Sequence, residues 1–210
     1  MSIESLPDYP LLKKLAEALW RNETSYQGAA IMVGSGFSRS AASSGDINSK
    51  LPLWNDLLKI LSEDLGSDPW GDPLQIAEEY SSYFGKQALR DLIEQTVNDP
   101  AWIPSDLYGS LLKLPWTEVL TTNWDTLLER AASDIYKPIY SIVNKPEDLS
   151  SSRSPRIVKL HGTVQISHNL IFTQEDYRQY PKTHAAFVNL ARQIFIENEF
   201  CLLGFSGDDP

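Results

Sequence analysis

Apolar residues recur along the chain in two patterns, one typical of helices and one typical of buried strands. Leu11, Leu15 and Leu19 stand at helical spacing, which predicts an amphipathic helix over residues 8–21. Residues 29–33 form a short continuous apolar run, as expected of a parallel strand that is buried on both faces. This run leads directly into Gly34-Ser-Gly-Phe-Ser38, and a strand that ends in such a glycine turn is how a nucleotide-binding βα unit begins.

Further strands and helices alternate after this unit, and a block of consecutive helices lies between the first two core strands. This order predicts an α/β fold with a Rossmann-like, mostly parallel sheet, helices on both faces, and a helical insertion after the first strand. The predicted strands are 118–122, 136–143, 156–160, 200–203 and, more weakly, 169–172; the predicted helices are 54–65, 73–84, 86–97, 105–114, 125–132 and 176–198, and 40–53 is a predicted loop.

In domain terms, we expect an N-terminal helix within residues 1–27 and one nucleotide-binding domain over 28–210, with the helical insertion at about 54–114. The sequence stops at Gly207-Asp-Asp-Pro210, directly after a predicted core strand. A parallel-sheet domain normally continues there into another helix or strand. We therefore expect this sequence to be the N-terminal part of a longer protein.

The composition excludes several classes of protein. Eighteen Lys and Arg against 28 Asp and Glu give a net charge of −10, so direct binding to nucleic acid, which needs clustered basic residues, is not expected. The N-terminus lacks the features of a signal peptide, and no apolar stretch approaches the roughly 20 residues of a membrane span. The single cysteine, Cys201, excludes an internal disulfide and a multi-cysteine zinc site. We expect a cytoplasmic protein without a metal site.

Four polar clusters come directly after predicted strands. Ligands of parallel α/β sheets bind beyond the carboxyl ends of the strands, so these clusters mark the expected site. Trp124, inside one of them, is expected to pack in the core or at its rim, and its place between Asn123 and Asp125 also suits a wall of the pocket. The clusters are Gly34-Ser-Gly, Thr122-Asn-Trp-Asp125, His161-Gly162 and Gly204-Phe-Ser206.

Each cluster also has a purely structural interpretation, and the residues alone leave both open. The first glycines can let a pyrophosphate approach backbone amides at a helix N-terminus, or can simply form a turn. Asn123 and its neighbours can serve a ligand or cap a helix. His161 can exchange protons near neutral pH or can be an ordinary structural histidine, whereas His168 and His184 are expected at the surface.

The order of the four clusters resembles that of the sirtuins. The paired C-x-x-C zinc module and the G-I-P-D-F-R segment of sirtuin deacylases are missing. Leu51-Pro-Leu-Trp-Asn-Asp-Leu-Leu58 stands in place of the G-I-P-D-F-R segment. Together with Phe172-Thr-Gln-Glu-Asp-Tyr177, it is similar to the sirtuin-like domains of bacterial anti-phage defence proteins, which are NADases. The matched motifs are Gly34-Ser-Gly-Phe-Ser38 with G-A-G-x-S, Thr122-Asn-Trp-Asp125 with Q-N-I-D, Lys159-Leu-His-Gly162 with E/K-L-H-G, and Leu203-Gly-Phe-Ser206 with G-T-S.

The resemblance implies that residues 28–210 bind NAD as the substrate, with no separate cofactor, and hydrolyse it to nicotinamide and ADP-ribose. NAD depletion would then stop an infection. His161 would be the catalytic base, and Asn123 would hold the attacking water and the ribose. Seven residues would bind NAD: Asp125 at the nicotinamide carboxamide, Gly34, Ser35 and Gly36 at the pyrophosphate, Ser206 at the ribose next to adenine, together with Ser38 and Gly204.

The resemblance also implies a homo-oligomer whose activity is switched on by a sensor domain or a partner protein. Two alternatives remain: a module that binds NAD or ADP-ribose without catalysis, and a sirtuin-type protein lysine deacylase. The missing zinc module disfavours the deacylase, and the pair Asn123 and His161 disfavours a pure binding module. Arg39, at the position of the third glycine of G-x-G-x-x-G, disfavours a dehydrogenase.

Overall fold

The computed structural model of the chain describes residues 2–21, 28–45, 49–67 and 71–206. Expectations about residues 22–27, 46–48 and the chain end at 207–210 lie outside these ranges. Short 3-10 segments cover Ile3–Ser5, Asp99–Ala101, Pro146–Ser150 and Val164–Asn169. The helices and strands, in chain order, are α1 (Tyr9–Leu19), β1 (Ala29–Val33), α2 (Ser35–Ser38), β2 (Ala42–Ser43), α3 (Trp54–Leu65), α4 (Pro73–Phe84), α5 (Lys86–Val97), β3 (Trp102–Ile103), α6 (Asp106–Leu112), β4 (Glu118–Thr121), α7 (Leu127–Asp134), β5 (Ser141–Val143), β6 (Arg156–Lys159), α8 (Gln174–Thr183), α9 (Ala185–Glu197) and β7 (Glu199–Leu203).

Five strands form one parallel sheet in the order β5-β6-β4-β1-β7. Val33 at the end of β1 pairs with Thr121 of β4 on one side and with Leu203 of β7 on the other, and Thr121 pairs with Lys159 of β6. The carboxyl ends of four strands therefore meet at one edge. The predicted α/β, Rossmann-like fold is confirmed.

Alternate residues of each strand enter different cores, because successive side chains point to opposite faces of a sheet. Ile31 and its neighbours at every second position pack with residues of α1, α6 and α7, such as Leu19, Leu112 and Leu127. Ala30 and the other set pack instead with Phe187 and further residues of α8 and α9. The sheet thus has helices on both faces.

The consecutive helices α3, α4 and α5 build a core of their own beside the sheet. Leu61, Ile76 and Leu89, one from each helix, are buried together. Leu170 and Phe172 reach this core from the segment after β6. The bounds of all three helices agree with the sequence-based prediction, and the insertion covers one side of the carboxyl edge of the sheet.

Several predicted elements were wrong. Only Ser141–Val143 of the predicted strand 136–143 is a strand, since Tyr136 and Ile139 are exposed and pair with no neighbour in the sheet. The predicted strand 169–172 is not a strand: it is apolar because it fills the core of the insertion.

Other elements differ in their ends. The helix predicted at 125–132 begins only at Leu127, and the helix predicted at 176–198 is two helices separated at His184. The short strand β2 lies within the segment 40–53, which was predicted as a loop. It pairs with β3 in antiparallel orientation.

Among the described residues, no helix combines the length and apolar character that crossing a membrane requires. Over the same ranges, no three His, Cys, Asp or Glu side chains lie close enough together to hold a metal ion.

Candidate active site

A cavity of about 280 Å³ lies at the carboxyl edge of the sheet, under the helical insertion. Four parts of the chain line it: the ends of the strands with the segments that follow them, the segment that leads into α3 with the first turn of α3, the last turns of α5, and one residue of α8. The lining residues include Ser35, Thr122, Asn123, Trp124, Asp125, His161 and Phe205 after the strands, Leu51, Pro52, Leu53, Trp54, Leu57, Ile93, Thr96 and Val97 from the insertion, and Tyr177 from α8.

The turns after β1 and β7 cross each other backbone to backbone. Gly34 N–H donates to Leu203 O (2.8 Å), and Gly36 N–H donates to Gly204 O (2.9 Å). Gly204 has a φ of +80°, and a Cβ there would lie 2.4 Å from Phe37 N, so only glycine fits. The amides of Gly34 and Gly36 are thus used within the protein, and Ser35 between them lines the cavity.

Asn123 is held by a chain of hydrogen bonds that joins the ends of β1 and β4. Its Nδ2 donates to Gly34 O (3.1 Å) and to Ser38 Oγ (2.8 Å), and its backbone N–H donates to Thr121 Oγ1 (3.1 Å). Ser38 Oγ in turn donates to Asp125 Oδ2 (2.7 Å). Since the Ser38 hydrogen goes to Asp125, Ser38 Oγ accepts from Asn123, which fixes the orientation of the amide. Asn123 Oδ1 is buried and has no partner within the described residues.

Asp125 is 4% exposed, and both of its carboxylate oxygens have partners within the protein. Ser38 Oγ binds Oδ2, and Leu127 N–H donates to Oδ1 (3.1 Å) at the start of α7. Its backbone carbonyl accepts from Lys159 Nζ, which also pairs with Glu129 at 3.1 Å. Burial raises the pKa of Glu129, and the positive charge of Lys159 opposes that shift. Through its bonds to Ser38 and Leu127, the carboxylate of Asp125 shapes the loop around Asn123.

His161 follows β6 and is fixed by its backbone. Its carbonyl accepts from Ile171 N–H (3.1 Å), and the preceding Leu160 N–H donates to Thr121 O (2.9 Å). The next residue, Gly162, has a φ of +80°, and a Cβ there would lie 2.4 Å from Asn169 O. The turn that presents the imidazole to the cavity therefore depends on this glycine.

The imidazole of His161 lies among aromatic side chains. Tyr177 Oη lies 3.3 Å from its Nδ1, and the two rings meet edge to face. Tyr180, one turn further along α8, donates its hydroxyl to Leu160 O (2.8 Å) and stacks on His184. Burial, with a smaller effect of His184, lowers the pKa of His161 to about 4. The ring is therefore neutral at physiological pH and has one nitrogen that can accept a proton.

Two tryptophans form the wall between the strand ends and the insertion. Trp54 of α3 meets Trp124 edge to face at 5.3 Å, and Trp124 also contacts Phe172. The indole Nε1 atoms of both are buried without a partner among the described residues. Trp124 fulfils both expectations, since it lines the cavity and also packs against the core of the insertion.

The structure brings most of the sequence-predicted site residues together. Ser35, Asn123, Asp125 and His161 line the cavity, and Gly34, Gly36, Ser38 and Gly204 lie directly behind it. Ser206 is exposed beyond Phe205 and is not among the lining residues. His168 is exposed, as predicted, whereas His184 is half-buried against Tyr180.

Trp54, Tyr177 and Tyr180 were not predicted as site residues. Trp54 and Tyr177 stand in the two segments that resemble defence proteins, which was the one signal in the sequence that could have found them. Tyr180 had no such signal.

Comparisons with known proteins give a consistent result. Residues 117–210 match the model of the SIR2-like domain. The chain is 30% identical over 186 residues to the protein named NAD(+) hydrolase ThsA of Acinetobacter baumannii (strain 532279), which is 86% of this chain and 37% of that protein. It is 27% identical over 206 residues to the NAD(+) hydrolase ThsA of Cytobacillus dafuensis, which is 95% of this chain and 38% of that protein.

A more distant relative is Defense-associated sirtuin 2 of Bacillus subtilis. It is 24% identical over 173 residues, which is 77% of this chain and 17% of that protein. The chain thus spans less than two fifths of the length of these relatives.

Proposed function

We propose that this chain, which carries a SIR2-like domain as its motifs predicted, cleaves NAD to nicotinamide and ADP-ribose. One structural observation carries the proposal: a neutral histidine, His161, and a rigidly oriented asparagine, Asn123, line the same cavity at the carboxyl edge of a parallel sheet. The names of the relatives, NAD(+) hydrolase ThsA, support it.

The chemistry needs little acid assistance. Nicotinamide leaves as a neutral molecule when the bond from its ring nitrogen to ribose breaks, and the electron pair of that bond stays on the nitrogen. The transition state has positive charge on the ribose, as in glycoside hydrolysis. The enzyme must therefore position the dinucleotide, exclude bulk water and activate one water molecule.

Asn123 and His161 suit these tasks. In the proposal, Asn123 Oδ1, which has no partner among the described residues, accepts a hydrogen bond from the attacking water or a ribose hydroxyl. His161 takes the proton that this group releases as the new C–O bond forms. Trp54 and Trp124 exclude solvent from the nicotinamide end, which fits a cavity with apolar walls.

The internal contacts of Asp125, Ser38 and the glycines lead us to propose roles that differ from those the resemblance implies. Because both carboxylate oxygens of Asp125 have internal partners, we propose that it acts on the substrate mainly by holding Asn123 through Ser38. Gly34, Gly36 and Gly204 act by their lack of side chains, which lets the two turns cross closely at the place where the pyrophosphate is proposed to bind. Ser35 and Ser206 are proposed as direct contacts of the phosphates and of the ribose next to adenine.

We further propose that the cleavage serves anti-phage defence by depleting NAD in the cytoplasm. The name of the B. subtilis relative supports this role. A homo-oligomer controlled by a sensor domain or partner protein belongs to the same proposal, as the resemblance to defence proteins implies.

The test measures free nicotinamide and ADP-ribose from NAD, using the full-length protein with and without extract of phage-infected cells. His161→Ala should reduce the turnover by about 10²–10⁴-fold, since it removes the base. The matched control is His168→Ala, because His168 is exposed and away from the cavity. Near wild-type turnover by His161→Ala would refute this mechanism.

The same assay separates the alternatives. Cleavage that occurs only with an acetyl-lysine peptide would indicate a deacylase. Tight NAD binding without any nicotinamide release, under activating conditions, would indicate a binding module.

A further inference from the structure

The hydroxyl of Tyr177 is the one group within hydrogen-bonding distance of the His161 ring among the described residues. Tyr177 Oη lies 3.3 Å from His161 Nδ1, and the rings meet edge to face with centroids 5.2 Å apart. His161 Nε2 has no such partner in the described ranges, and the imidazole lines the cavity. The two ring nitrogens are therefore in different surroundings: one faces a tyrosine and the other remains for the substrate.

The position of Tyr177 is fixed by the start of α8. Thr173 Oγ1 accepts from Asp176 N–H (3.2 Å), and the Asp176 carboxylate accepts from Thr173 N–H (3.2 Å), which forms a reciprocal cap. Tyr177 directly follows this cap, and its backbone N–H donates to Thr173 O. A residue held so firmly in the first turn of a helix can orient a neighbouring ring at little further entropic cost.

A neutral imidazole carries one hydrogen, so the hydrogen bond at Nδ1 decides which nitrogen is the base. If Tyr177 donates to Nδ1, the hydrogen sits on Nε2, and the nitrogen that remains for the substrate cannot accept a proton. If Nδ1–H donates to Tyr177 Oη, Nε2 keeps its lone pair. A separation of 3.3 Å is long for a hydroxyl donor and closer to the range of N–H donors, which favours the second arrangement.

We propose that Tyr177 is a positioning residue that accepts a hydrogen bond from His161 Nδ1–H and thereby makes Nε2 the proton-accepting atom of the site. This inference rests on the proposed NAD cleavage. In that reaction, water or a ribose hydroxyl gives its proton to Nε2 as its oxygen forms the bond to the ribose carbon, and nicotinamide leaves with the electron pair of the broken bond. The imidazolium keeps its Nδ1–H···Oη bond to Tyr177, and the proton on Nε2 then passes to solvent.

The first test reads the tautomer directly, without substrate. Nitrogen NMR of the protein labelled in histidine separates protonated from unprotonated ring nitrogens, and the chain has only three histidines. The His161→Gln variant assigns the His161 signals. We expect the Nδ1–H form in the wild type and a shift toward the Nε2–H form in Tyr177→Phe, which keeps the ring and loses only the hydroxyl.

Tyr180→Phe is the matched control for this measurement. Tyr180 belongs to the same helix and also packs on His161, but its hydroxyl binds the Leu160 carbonyl and not the imidazole. Its loss should leave the His161 tautomer unchanged. An Nε2–H form in the wild type, or no change in Tyr177→Phe, would overturn the proposal.

The second test is kinetic. Tyr177→Phe should lower kcat by about ten- to a hundredfold with KM nearly unchanged, as expected when an outer partner that fixes a histidine tautomer is removed. If Tyr177 had only a structural role, Tyr177→Phe would lower the melting temperature without lowering kcat at a nearly unchanged KM. Absence of nicotinamide release from the wild type would refute the proposed function, whereas a Tyr177→Phe variant with wild-type kcat would refute only the role of Tyr177.

Discussion

Asp99 accepts two hydrogen bonds from Thr126, one from its backbone N–H (2.7 Å) and one from its hydroxyl (2.6 Å). Arg130 joins these two residues to β3, because its guanidinium donates to Thr126 Oγ1 and to the carbonyl of Trp102. Asp99 lies at the end of the helical insertion, and Thr126 comes directly after Asp125. The loop that carries the proposed catalytic asparagine is thus anchored to the insertion by a buried carboxylate.

Replacing Asp99 with alanine should therefore destabilise the protein. It leaves the Thr126 N–H and hydroxyl buried without their partner, because Thr126 is 2% exposed. We expect the free energy of unfolding in urea to fall by about 2–4 kcal/mol. The control is Asp91→Ala, since Asp91 is exposed and, within the described residues, its carboxylate bonds only to Gln87 of its own helix. Equal stability of the two variants would show that the Asp99 contacts contribute nothing.

Two glycines with left-handed backbones should respond very differently to alanine. Gly66 ends α3 with a φ of +65°, and no atom of the described residues lies within 4 Å of the position that a Cβ would take there. Gly66→Ala should therefore cost only about 1–2 kcal/mol of backbone strain. Gly204 has a similar φ, but a Cβ there would meet Phe37 N at 2.4 Å and Gly34 O at 2.8 Å. Gly204→Ala should cost at least twice as much, or prevent folding. Chemical denaturation of both variants measures the difference, and equal costs would contradict the close crossing of the turns.

The lowered pKa of His161 should make stability depend on pH. An unfolded histidine has a pKa near 6.5, whereas burial lowers that of folded His161 to about 4. The unfolded state therefore binds a proton first as the pH falls, so stability decreases between pH 6.5 and pH 4 by up to about 3 kcal/mol. Tyr177, Tyr180 and His184 surround the ring.

His161→Gln should remove this part of the pH dependence, while His168→Gln should retain it. The measurement is the free energy of unfolding at pH 7, 5.5 and 4.5. An identical pH profile for wild type and His161→Gln would show that the imidazole titrates normally in the folded protein.

Ser206 is predicted to contribute to binding and not to the chemical step. One neutral hydrogen bond contributes about 0.5–1.5 kcal/mol, so Ser206→Ala should raise KM roughly two- to tenfold and leave kcat unchanged. Ser133→Ala, on the exposed end of α7, is the control. A normal KM with a lower melting temperature would mean that Ser206 only caps a turn.

The sequence predicted elements well where the local pattern carries all the information. The helices from Trp54, Pro73 and Lys86 have a clear apolar stripe, and Gly66, Asp72 and Gly85 lie at their ends, so their bounds were correct. Strand prediction failed at 169–172 because an apolar run does not reveal whether it pairs in a sheet or fills a helical core.

The difference between local pattern and tertiary packing also explains which site residues could be predicted. Asn123 and His161 were identifiable because they follow strands, and the ends of parallel strands converge whatever the details of packing. Trp54 and Tyr177 reach the cavity from helices, and their direction depends on how those helices pack on the sheet. No periodicity within either helix encodes that packing.

The cavity draws on residues from Met32, near the end of β1, to Phe205, which follows the last strand of the sheet. During translation, the pocket cannot close until the ribosome has added Phe205 and β7 has paired beside β1. A truncated or stalled product therefore lacks a complete pocket. For a chain proposed to destroy NAD, we expect products that end before Phe205 to lack this activity.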